Sequence, residues 1–374
     1  MKKNSLLFTF MLLPALAGCN TTNGGGSTSP DNIEITDMQN RTQTIDRNSI
    51  KRVVCVGAGA LRYYSYIGDM SKLVGVEKID SGETFGVGQA LRPYYMANYD
   101  TLKNLPIIGQ GGPQAQSPDK EKILEVNPDI VVSFYSDPSV NDDLQSTIQT
   151  PVIALAQGND GVFDSVTQQS FTLLGKVFKQ EEKAAALNKF INDSIADFAS
   201  LTETEETYYV GCIGNWGKTT LYGSYRDYPV FNHAKVKNAL SEIEGLSGKQ
   251  VTIDAEKLQA IDPDKIFVDA SGLEGFVEAY KTDSTVYDAL SAFENGETYL
   301  LMPYNAYYTN LEIELMSTYY VASVAHGASF HVNLNEKFNA ITKAFLGKEL
   351  YSEMKEHKYG YGGYQNFDIK DLIK

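Results

Sequence analysis

The feature that most constrains the fold of this chain is a segment that occurs twice, 135 residues apart. Each copy begins with Glu-Lys, at Glu121 and at Glu256, and after five more residues reaches Pro-Asp and an apolar run. Proline cannot continue a helix, so the pattern predicts a helix that stops before Pro128 or Pro263 and a buried strand directly after it. The repeat therefore predicts an α/β fold of two Rossmann-like lobes with mainly parallel sheets.

Apolar runs on either side of each copy predict the remaining strands. Residues 53–57 and 208–214 precede the two copies, and residues 150–155 and 297–302 follow them. Short runs of this kind are typical of strands that are buried on both faces of a parallel sheet. The length of 374 residues fits two such units, since a domain usually has about 100–200 residues.

Between the two units, the apolar residues from Ala184 to Phe198 recur at spacings of three and four, which is typical of one face of a helix. We predict a single long helix that joins the lobes as a stiff hinge. The predicted parts are a first lobe at 33–162, a linking helical region at 163–201, and a second lobe with C-terminal helices at 202–374.

The N-terminus predicts export from the cytoplasm. Lys2 and Lys3 precede a short apolar run, so residues 1–18 are expected to form a signal peptide. The sequence Leu-Ala-Gly-Cys that ends at Cys19 resembles a bacterial lipobox, which implies a lipid on that cysteine. An ordinary signal peptide with an incidental cysteine is the alternative. Residues 19–32 are expected to serve as anchor and flexible tether, and the lipid as the only membrane attachment.

Composition excludes several classes of function. A net charge of −15 argues against nucleic-acid binding, which needs a basic surface. All four histidines lie in the second half of the chain, which disfavours a bare zinc or manganese ion held by histidines of both lobes. Cys55 and Cys212 are expected to be buried thiols at equivalent strand positions of the two lobes, too far apart for a disulfide.

An enzymatic function is not expected. Residues 214–219 end in Gly-Lys-Thr like a phosphate-binding loop, but the glycine that this motif needs five positions before Gly217 is replaced by Cys212. The sequence also contains no Gly-x-Ser-x-Gly motif, and no histidine lies near a candidate nucleophile in the sequence. We therefore predict neither catalytic residues nor a cofactor.

These features together resemble the class III substrate-binding proteins of bacterial ABC importers, over residues 33–369. The segments 91–94, 105–109 and 304–310 look like the iron-complex or metal-binding branch of that class, which includes molybdate and tungstate binders. The resemblance implies an extracytoplasmic monomer that holds its ligand in a cleft between the lobes. It also implies two partners, a permease dimer and the cytoplasmic ATPase of the importer.

In open α/β sheets, ligands bind beyond the carboxyl ends of the strands. Arginine and lysine in these loops suit an anionic ligand, and tyrosine suits a large chelate that is partly polar. The alternative is that each arginine pairs with a nearby acid and that half or more of the aromatic residues are core. The expected cargo is a ferric complex, siderophore or haem-like, with molybdate or tungstate as the alternative. The predicted ligand residues are Arg62, Arg92, Tyr94, Tyr135, Trp216, Lys218, Arg226, Tyr304 and Tyr307.

Glu121 and Glu256 have a second implied role. The resemblance implies that one such glutamate on each lobe docks with arginines of the permease. The alternative is that both are acids at a helix N-terminus, which the helix dipole stabilises by about 0.3–1 kcal/mol each. A surface sensor or interaction protein that does not take part in transport is a further alternative for the whole chain.

Overall fold

The structure, a computed structural model, describes residues 31–81, 91–112, 115–213 and 220–373. It begins with an antiparallel hairpin, and a parallel sheet in the order β3-β4-β5 follows. Isolated parallel bridges from Val53 to Leu73 and from Val76 to Ile107 extend this sheet. The strands of this part are β1 (Asn32–Thr36), β2 (Thr42–Asp46), β3 (Val53–Val56), β4 (Ile130–Ser133) and β5 (Val152–Ala154).

The first lobe is completed by helices that connect and cover its strands. Helix α1 packs against β3 and β4, and it also contacts α2. The helices are α1 (Ala60–Ile67), α2 (Pro93–Leu102), α3 (Lys120–Glu125) and α4 (Pro138–Ile148).

The linking region is helical, but the prediction of one long helix is wrong. It consists of α5 (Ser165–Phe178) and α6 (Glu181–Asp197), which pack against each other. Lys179 between them has a φ of 56°, a left-handed conformation that ends α5. The chain can turn so tightly because Gly175 has no side chain, and a Cβ there would lie 2.8 Å from that of Ala184.

The second lobe contains a five-stranded sheet in the order β12-β11-β10-β6-β8, in which only β12 is antiparallel to its neighbour. Strands β7 and β9 form a separate antiparallel pair. The order β6-β10-β11 repeats the order β3-β4-β5 of the first lobe, which confirms the predicted architecture. The strands are β6 (Thr207–Gly211), β7 (Gly223–Tyr225), β8 (Lys237–Asn238), β9 (Gln250–Thr252), β10 (Lys265–Asp269), β11 (Thr298–Leu301) and β12 (Gln365–Asn366).

The C-terminal helices cross back to the first lobe. Phe345 packs against Tyr66 at 5.1 Å between ring centroids, and Lys348 donates a hydrogen bond to the carbonyl of Ala97. The lobes are therefore connected by more than the linking region. The helices of this part are α7 (Pro229–Ala234), α8 (Ala255–Ile261), α9 (Leu273–Thr282), α10 (Thr285–Asp288), α11 (Ser291–Glu294), α12 (Leu311–His326), α13 (Leu334–Leu346) and α14 (Tyr351–Glu356).

Both copies of the repeat fold in the same way because the same polar contacts recur in them. The carboxylate of Asp119 accepts the backbone N–H of Lys122 at the start of α3, and Asp254 does the same for Lys257 at the start of α8. Such N-cap bonds satisfy amides that would otherwise lack a partner in the first turn of a helix. The two helices therefore begin at equivalent residues.

The aspartate of each Pro-Asp pair binds the backbone at the start of the neighbouring strand in its sheet. Asp129 accepts the backbone N–H groups of Lys51 and Arg52 at 2.7 and 2.8 Å, just before β3. Asp264 accepts the N–H of Thr207 at 2.7 Å, at the start of β6. Each carboxylate thus connects the amino ends of two neighbouring strands, β3 and β4 in the first lobe and β6 and β10 in the second.

The expected equivalence of Cys55 and Cys212 is wrong by two residues. Cys55 pairs with Val132 in the first sheet, and the repeat equivalent of Val132 is Phe267, which pairs with Val210. Cys55 therefore corresponds to Val210, and Cys212 corresponds to Gly57. Both thiols are buried, and within the described residues neither forms a disulfide, in agreement with the rest of the prediction.

Candidate functional site

Residues 303–310, here called the interlobe finger, connect the second sheet to α12. An isolated antiparallel bridge joins Asn305 to Thr309 and closes a tight loop. Tyr307 and Tyr308 at its tip have φ values of 57° and 84°, in the left-handed region that residues other than glycine rarely adopt. Two such residues in succession indicate a backbone conformation that the surrounding structure holds in place.

Arg62 on α1 binds the tip of the interlobe finger from the first lobe. Its guanidinium donates to the carbonyl oxygens of Ala306 at 2.5 Å and Tyr307 at 3.1 Å, and to Oδ1 of Asn310 at 3.1 Å. The side chain is buried and lies 4.8 Å from the centre of the Tyr94 ring. Arg62 therefore joins the two lobes, and its predicted contact with a ligand stays a prediction.

The hydroxyl of Tyr307 also reaches the first lobe. It accepts the backbone N–H of Gly112 and donates to Oε2 of Glu77 at 3.4 Å. The same oxygen accepts the N–H of Gly57 at 3.0 Å, just after the end of β3. Glu77 is only 2% exposed, and its burial, with the nearby Asp80 carboxylate, raises its pKa to about 8. Tyr307, a predicted ligand residue, is thus an interlobe contact.

Asp80 brings together two other predicted ligand residues. The hydroxyl of Tyr94 donates to the Asp80 carboxylate, and the guanidinium of Arg92 lies 3.9 Å from it. Arg92 also donates to the carbonyl of Ile79 and lies 4.8 Å from the centre of the Tyr95 ring. Burial raises the pKa of Asp80, and Arg92 opposes that rise. Arg92 and Tyr94 are both buried, and their contact with a ligand stays a prediction.

The second lobe holds the base of the interlobe finger with carboxylates. Asp269, at the end of β10, accepts the N–H of Tyr304 at 2.8 Å, and the Tyr304 hydroxyl donates to Glu314 at 2.7 Å. The other oxygen of Glu314 accepts the N–H of Val162 at 2.6 Å. Burial raises the pKa of Asp269 to about 6 and that of Glu314 to about 8. Tyr304 is therefore a buried support of the finger.

A pair of aromatic rings, one exposed and one half-buried, lies at the carboxyl edge of the first sheet and is here called the aromatic face. It consists of Tyr308, which is 43% exposed, and Phe134, whose ring centroid lies 5.6 Å away. Gly59 lies under it with a φ of 98°, and a Cβ there would lie 3.6 Å from the Tyr308 ring. The hydroxyl of Tyr135, the next residue after Phe134, is buried without a hydrogen-bond partner among the described residues. The position of the aromatic face agrees with the predicted cleft.

Arg226 lies apart from this group. Its guanidinium donates to the carbonyl oxygens of Leu246 and Ser241, both in the second lobe. The neighbouring Asp227, considered as its partner from the sequence, instead lies 3.7 Å from the ammonium of Lys249. Three further predicted residues lie outside the described part of the chain, namely the ligand residues Trp216 and Lys218 and the lipidation site Cys19.

The two glutamates predicted to dock with a permease occupy matching positions. Glu121 lies in the first turn of α3 and Glu256 in the first turn of α8, and both side chains are exposed. Leu124, one turn after Glu121, is 48% exposed, whereas the equivalent position in α8 is Gln259. Their role in docking stays a prediction.

Sequence reasoning missed the buried carboxylates that organise the site. Glu312 and Glu314 are both 0% exposed in α12, and the acids inside that apolar run were a signal that could have revealed them. Glu77 offers no such local signal, because its partner Tyr307 is 230 residues away in the chain. Within the described ranges, no three histidine, cysteine or acidic side chains are arranged to hold a metal ion.

A separate groove of about 350 Å³ lies at the amino edge of the second sheet, far from the finger along the strands. Thr207, Lys237 and Lys257 are among the residues that line it. Because β6 begins at Thr207, this groove lies at the opposite end of the strand from the predicted cleft. We do not assign it to the ligand.

Two α/β lobes that meet at the carboxyl edges of their sheets define a two-lobed binding protein. Residues 53–304 match the family of periplasmic binding proteins, and the chain belongs to that family. Such proteins are extracytoplasmic substrate-binding components that work with the permease and ATPase of an ABC importer. Membership confirms the predicted fold and class of function. No helix in the described ranges is both long and apolar enough to cross a membrane.

Individual relatives match this chain at low sequence identity. The petrobactin-binding protein YclQ of Bacillus subtilis (strain 168) is 22% identical over 273 residues, which cover 72% of this chain and 80% of the relative. A periplasmic solute-binding protein of Veillonella parvula superimposes with a TM-score of 0.67 at 17% identity, covering 87% of this chain and 96% of the other. The molybdate-bound MolA of Haemophilus influenzae has a TM-score of 0.58 at 18% identity, covering 85% and 98%.

Proposed function

We propose that this protein binds a ferric iron complex between its lobes and delivers it to a membrane permease. The observation that carries the proposal is the aromatic face at the carboxyl edge of the first sheet, where Tyr308 is exposed beside the half-buried Phe134. A large organic chelate needs wide apolar contact of this kind, whereas a small oxyanion needs N–H, O–H and guanidinium donors. The similarity to a petrobactin-binding protein supports the same class of ligand.

The arginines also favour a chelate over molybdate or tungstate. Arg62 donates to two carbonyl oxygens and one amide oxygen of the protein, and Arg92 donates to the carbonyl of Ile79. The terminal N–H groups of Arg62 must give up those bonds to take an oxyanion, which leaves only its single Nε–H, buried without a partner among the described residues, as a donor. We infer that the two arginines stabilise the site and contribute positive charge, and that the ligand is bound mainly through aromatic contact.

Native mass spectrometry with metal analysis, on protein purified from its own host, tests the cargo. The expected result is iron together with an organic mass. A molybdenum or tungsten adduct would show that the oxyanion alternative is correct. The same spectrum tests the proposed lipid, because a diacylated Cys19 adds a defined mass to a chain that begins at that residue.

Removal of the exposed ring should weaken binding. Tyr308→Ala is expected to weaken the affinity for a ferric siderophore about tenfold or more, since aromatic contacts contribute about 0.5–1.5 kcal/mol beyond the apolar area they bury. Isothermal titration with ferric petrobactin, a ferric hydroxamate and haemin measures the effect. Tyr99→Ala is the matched control, because Tyr99 is 50% exposed but lies on α2 outside the aromatic face. Equal losses in both variants would contradict the proposal.

We also propose that the protein acts as a monomer whose Glu121 and Glu256 dock with the permease dimer. The support is that both are exposed, occupy equivalent turns, and stand one on each lobe. A two-lobed protein with one acid on each lobe can present them to two basic sites on a dimer at once. A sensor without a transport role would not need either charge.

A further inference from the structure

The tip of the interlobe finger is held in an unfavourable backbone conformation by contacts from the other lobe. Tyr307 and Tyr308 are both left-handed, and Tyr308 carries the exposed half of the aromatic face. Bulky residues adopt this conformation only where the surroundings determine it. What determines the conformation of the tip therefore also determines where the Tyr308 ring lies.

Two side chains of the first lobe supply most of those contacts. Arg62 binds the carbonyl oxygens of Ala306 and Tyr307, and Glu77 faces the Tyr307 hydroxyl at 3.4 Å. Both side chains are nearly fully buried, at 1% and 2% exposure. Neither contact lies within the second lobe, to which the finger is covalently attached. The geometry of the aromatic face thus depends on contacts between the lobes.

The first lobe is shaped to hold the carboxyl group of Glu77 at this point. The N–H of Gly57 donates to its Oε2 at 3.0 Å, and Gly111 leaves room for it, since a Cβ there would lie 2.7 Å from the same oxygen. Gly111 has a φ of 62°, which a side chain would also disfavour. Residues from two separate parts of the first lobe therefore surround this single carboxyl group.

We propose that Glu77 and Arg62 are positioning residues, which hold the interlobe finger against the first lobe and thereby set the affinity of the cleft for its cargo. The inference rests on the proposed function for the identity of the cargo. The docking of the finger itself can be measured without any ligand.

The charge state of Glu77 makes the docking of the interlobe finger on the first lobe depend on pH. Its neighbours are acids and weak acids on all sides: Asp80 on its own segment, the Cys55 thiol of β3, and the hydroxyls of Tyr135 and Tyr307. The positive charges of Arg62 and Arg92 act on the Asp80 carboxylate, which stands between them and Glu77. Burial and Asp80 raise the Glu77 pKa to about 8. The Gly57 N–H and the Tyr307 hydroxyl lower this pKa, but burial outweighs them, so the docked state is strongest when Glu77 is protonated and weakens as the pH rises from the ordinary pKa of a glutamate to about 8.

Hydrogen exchange of residues 303–310 tests the inference in the full chain. Protection factors, corrected for intrinsic exchange, are measured between pH 6 and pH 9. In the wild type they should fall about tenfold or more, mainly between pH 6 and pH 8, because docking weakens by up to tenfold per pH unit between the pKa of the undocked carboxyl and the raised pKa of about 8. Glu77→Gln mimics the protonated acid, so its protection should stay high at both pH values. Glu77→Ala should show low protection at both.

The matched control is Asp129→Asn. Asp129 is another first-lobe carboxyl that accepts backbone N–H groups, but it does so at the opposite, amino edge of the sheet. Its protection should follow the wild type across the pH range. A wild-type profile that does not change with pH, or a Glu77→Gln profile that follows the wild type, would overturn the inference.

A binding experiment with ferric petrobactin connects the finger to the cargo. Glu77→Ala should weaken binding at pH 6 about three- to tenfold, the effect of losing one buried hydrogen bond. Asp129→Asn should bind like the wild type. Unchanged affinity in Glu77→Ala would refute the link between finger and cleft. If no ferric complex binds the wild type, the proposed function fails, while the exchange experiment still decides whether Glu77 positions the finger.

Discussion

At the amino edge of the first sheet, the Asp129 carboxylate binds the backbone that enters β3, and Asp264 does the same for β6 in the second lobe. At the carboxyl edges the two lobes differ. The second lobe sends out the interlobe finger, and the first lobe provides Arg62 and Glu77 to receive it. The amino edges, which are alike in the two lobes, maintain the fold. The carboxyl edges, which differ, form the boundary where a ligand is expected.

This division shows that the duplication constrains the scaffold more than the cleft. Asp119 and Asp254 keep equivalent caps, because every helix needs partners for its first amides. No such general need acts on the loops after the strands. The two lobes can therefore present different chemistry to one ligand while keeping the same framework.

The largest expected effect concerns Glu121 and Glu256, the proposed docking residues of the two lobes. Charge reversal at both Glu121 and Glu256, to lysine, should abolish uptake, because each lobe would present a repelling charge to a basic site of the permease. Uptake of a ferric siderophore by cells is measured beside the affinity of the purified variant. Single reversals should give partial loss. A loss of ligand affinity, or normal uptake by the double variant, would contradict docking through these residues.

A second experiment compares the residues that directly follow β3 and β6, which are Gly57 in the first lobe and Cys212 in the second. Gly57→Ala should lower the free energy of unfolding by about 2 kcal/mol or more, since its φ is 85° and a Cβ would lie 3.2 Å from the amide of Tyr135. Cys212→Ala, at the equivalent left-handed position with a φ of 63°, should cost about 1 kcal/mol or less. Urea unfolding of both variants gives the comparison, and equal costs would break the assigned equivalence.

The smallest expected effect concerns the two helix caps. Asp119→Ala and Asp254→Ala should each lower the free energy of unfolding by about 1 kcal/mol, because each removes one N-cap hydrogen bond. Thermal unfolding of the two variants, beside Asp119→Asn and Asp254→Asn, measures this. Asparagine keeps an acceptor and should recover most of the loss. Clearly unequal costs in the two lobes would show that the caps are not equivalent.

The repeated scaffold could be predicted because its signals are local. Pro128 and Pro263 mark where the helices end, and the apolar runs after them become β4 and β10. The error over Cys212 arose because the run that ends at Gly214 was aligned with the run that ends at Gly57, which places Cys212 at the position of Cys55. The register of β6 on β10 assigns Val210 to the position of Cys55. Strand pairing, which the sequence does not display, was needed to correct it.

The candidate site was predicted only in part. Arg62, Tyr304 and Tyr307 do lie at the boundary, because loops after parallel strands meet there. Their partners could not be predicted, since Glu77 and Tyr307 are 230 residues apart and neither belongs to a motif. The break between α5 and α6 was missed because Lys179 adopts a left-handed conformation that its residue type does not favour.

The two buried cysteines have a practical consequence for the study of motion. Burial raises the pKa of both the Cys55 and the Cys212 thiol, so neither readily forms the thiolate that reacts with labelling reagents. With Cys19 changed to serine, single cysteines placed on α3 and on α8 would therefore be the reactive pair. Fluorescent or spin labels at those two sites would report the distance between the lobes in the native background as cargo is added.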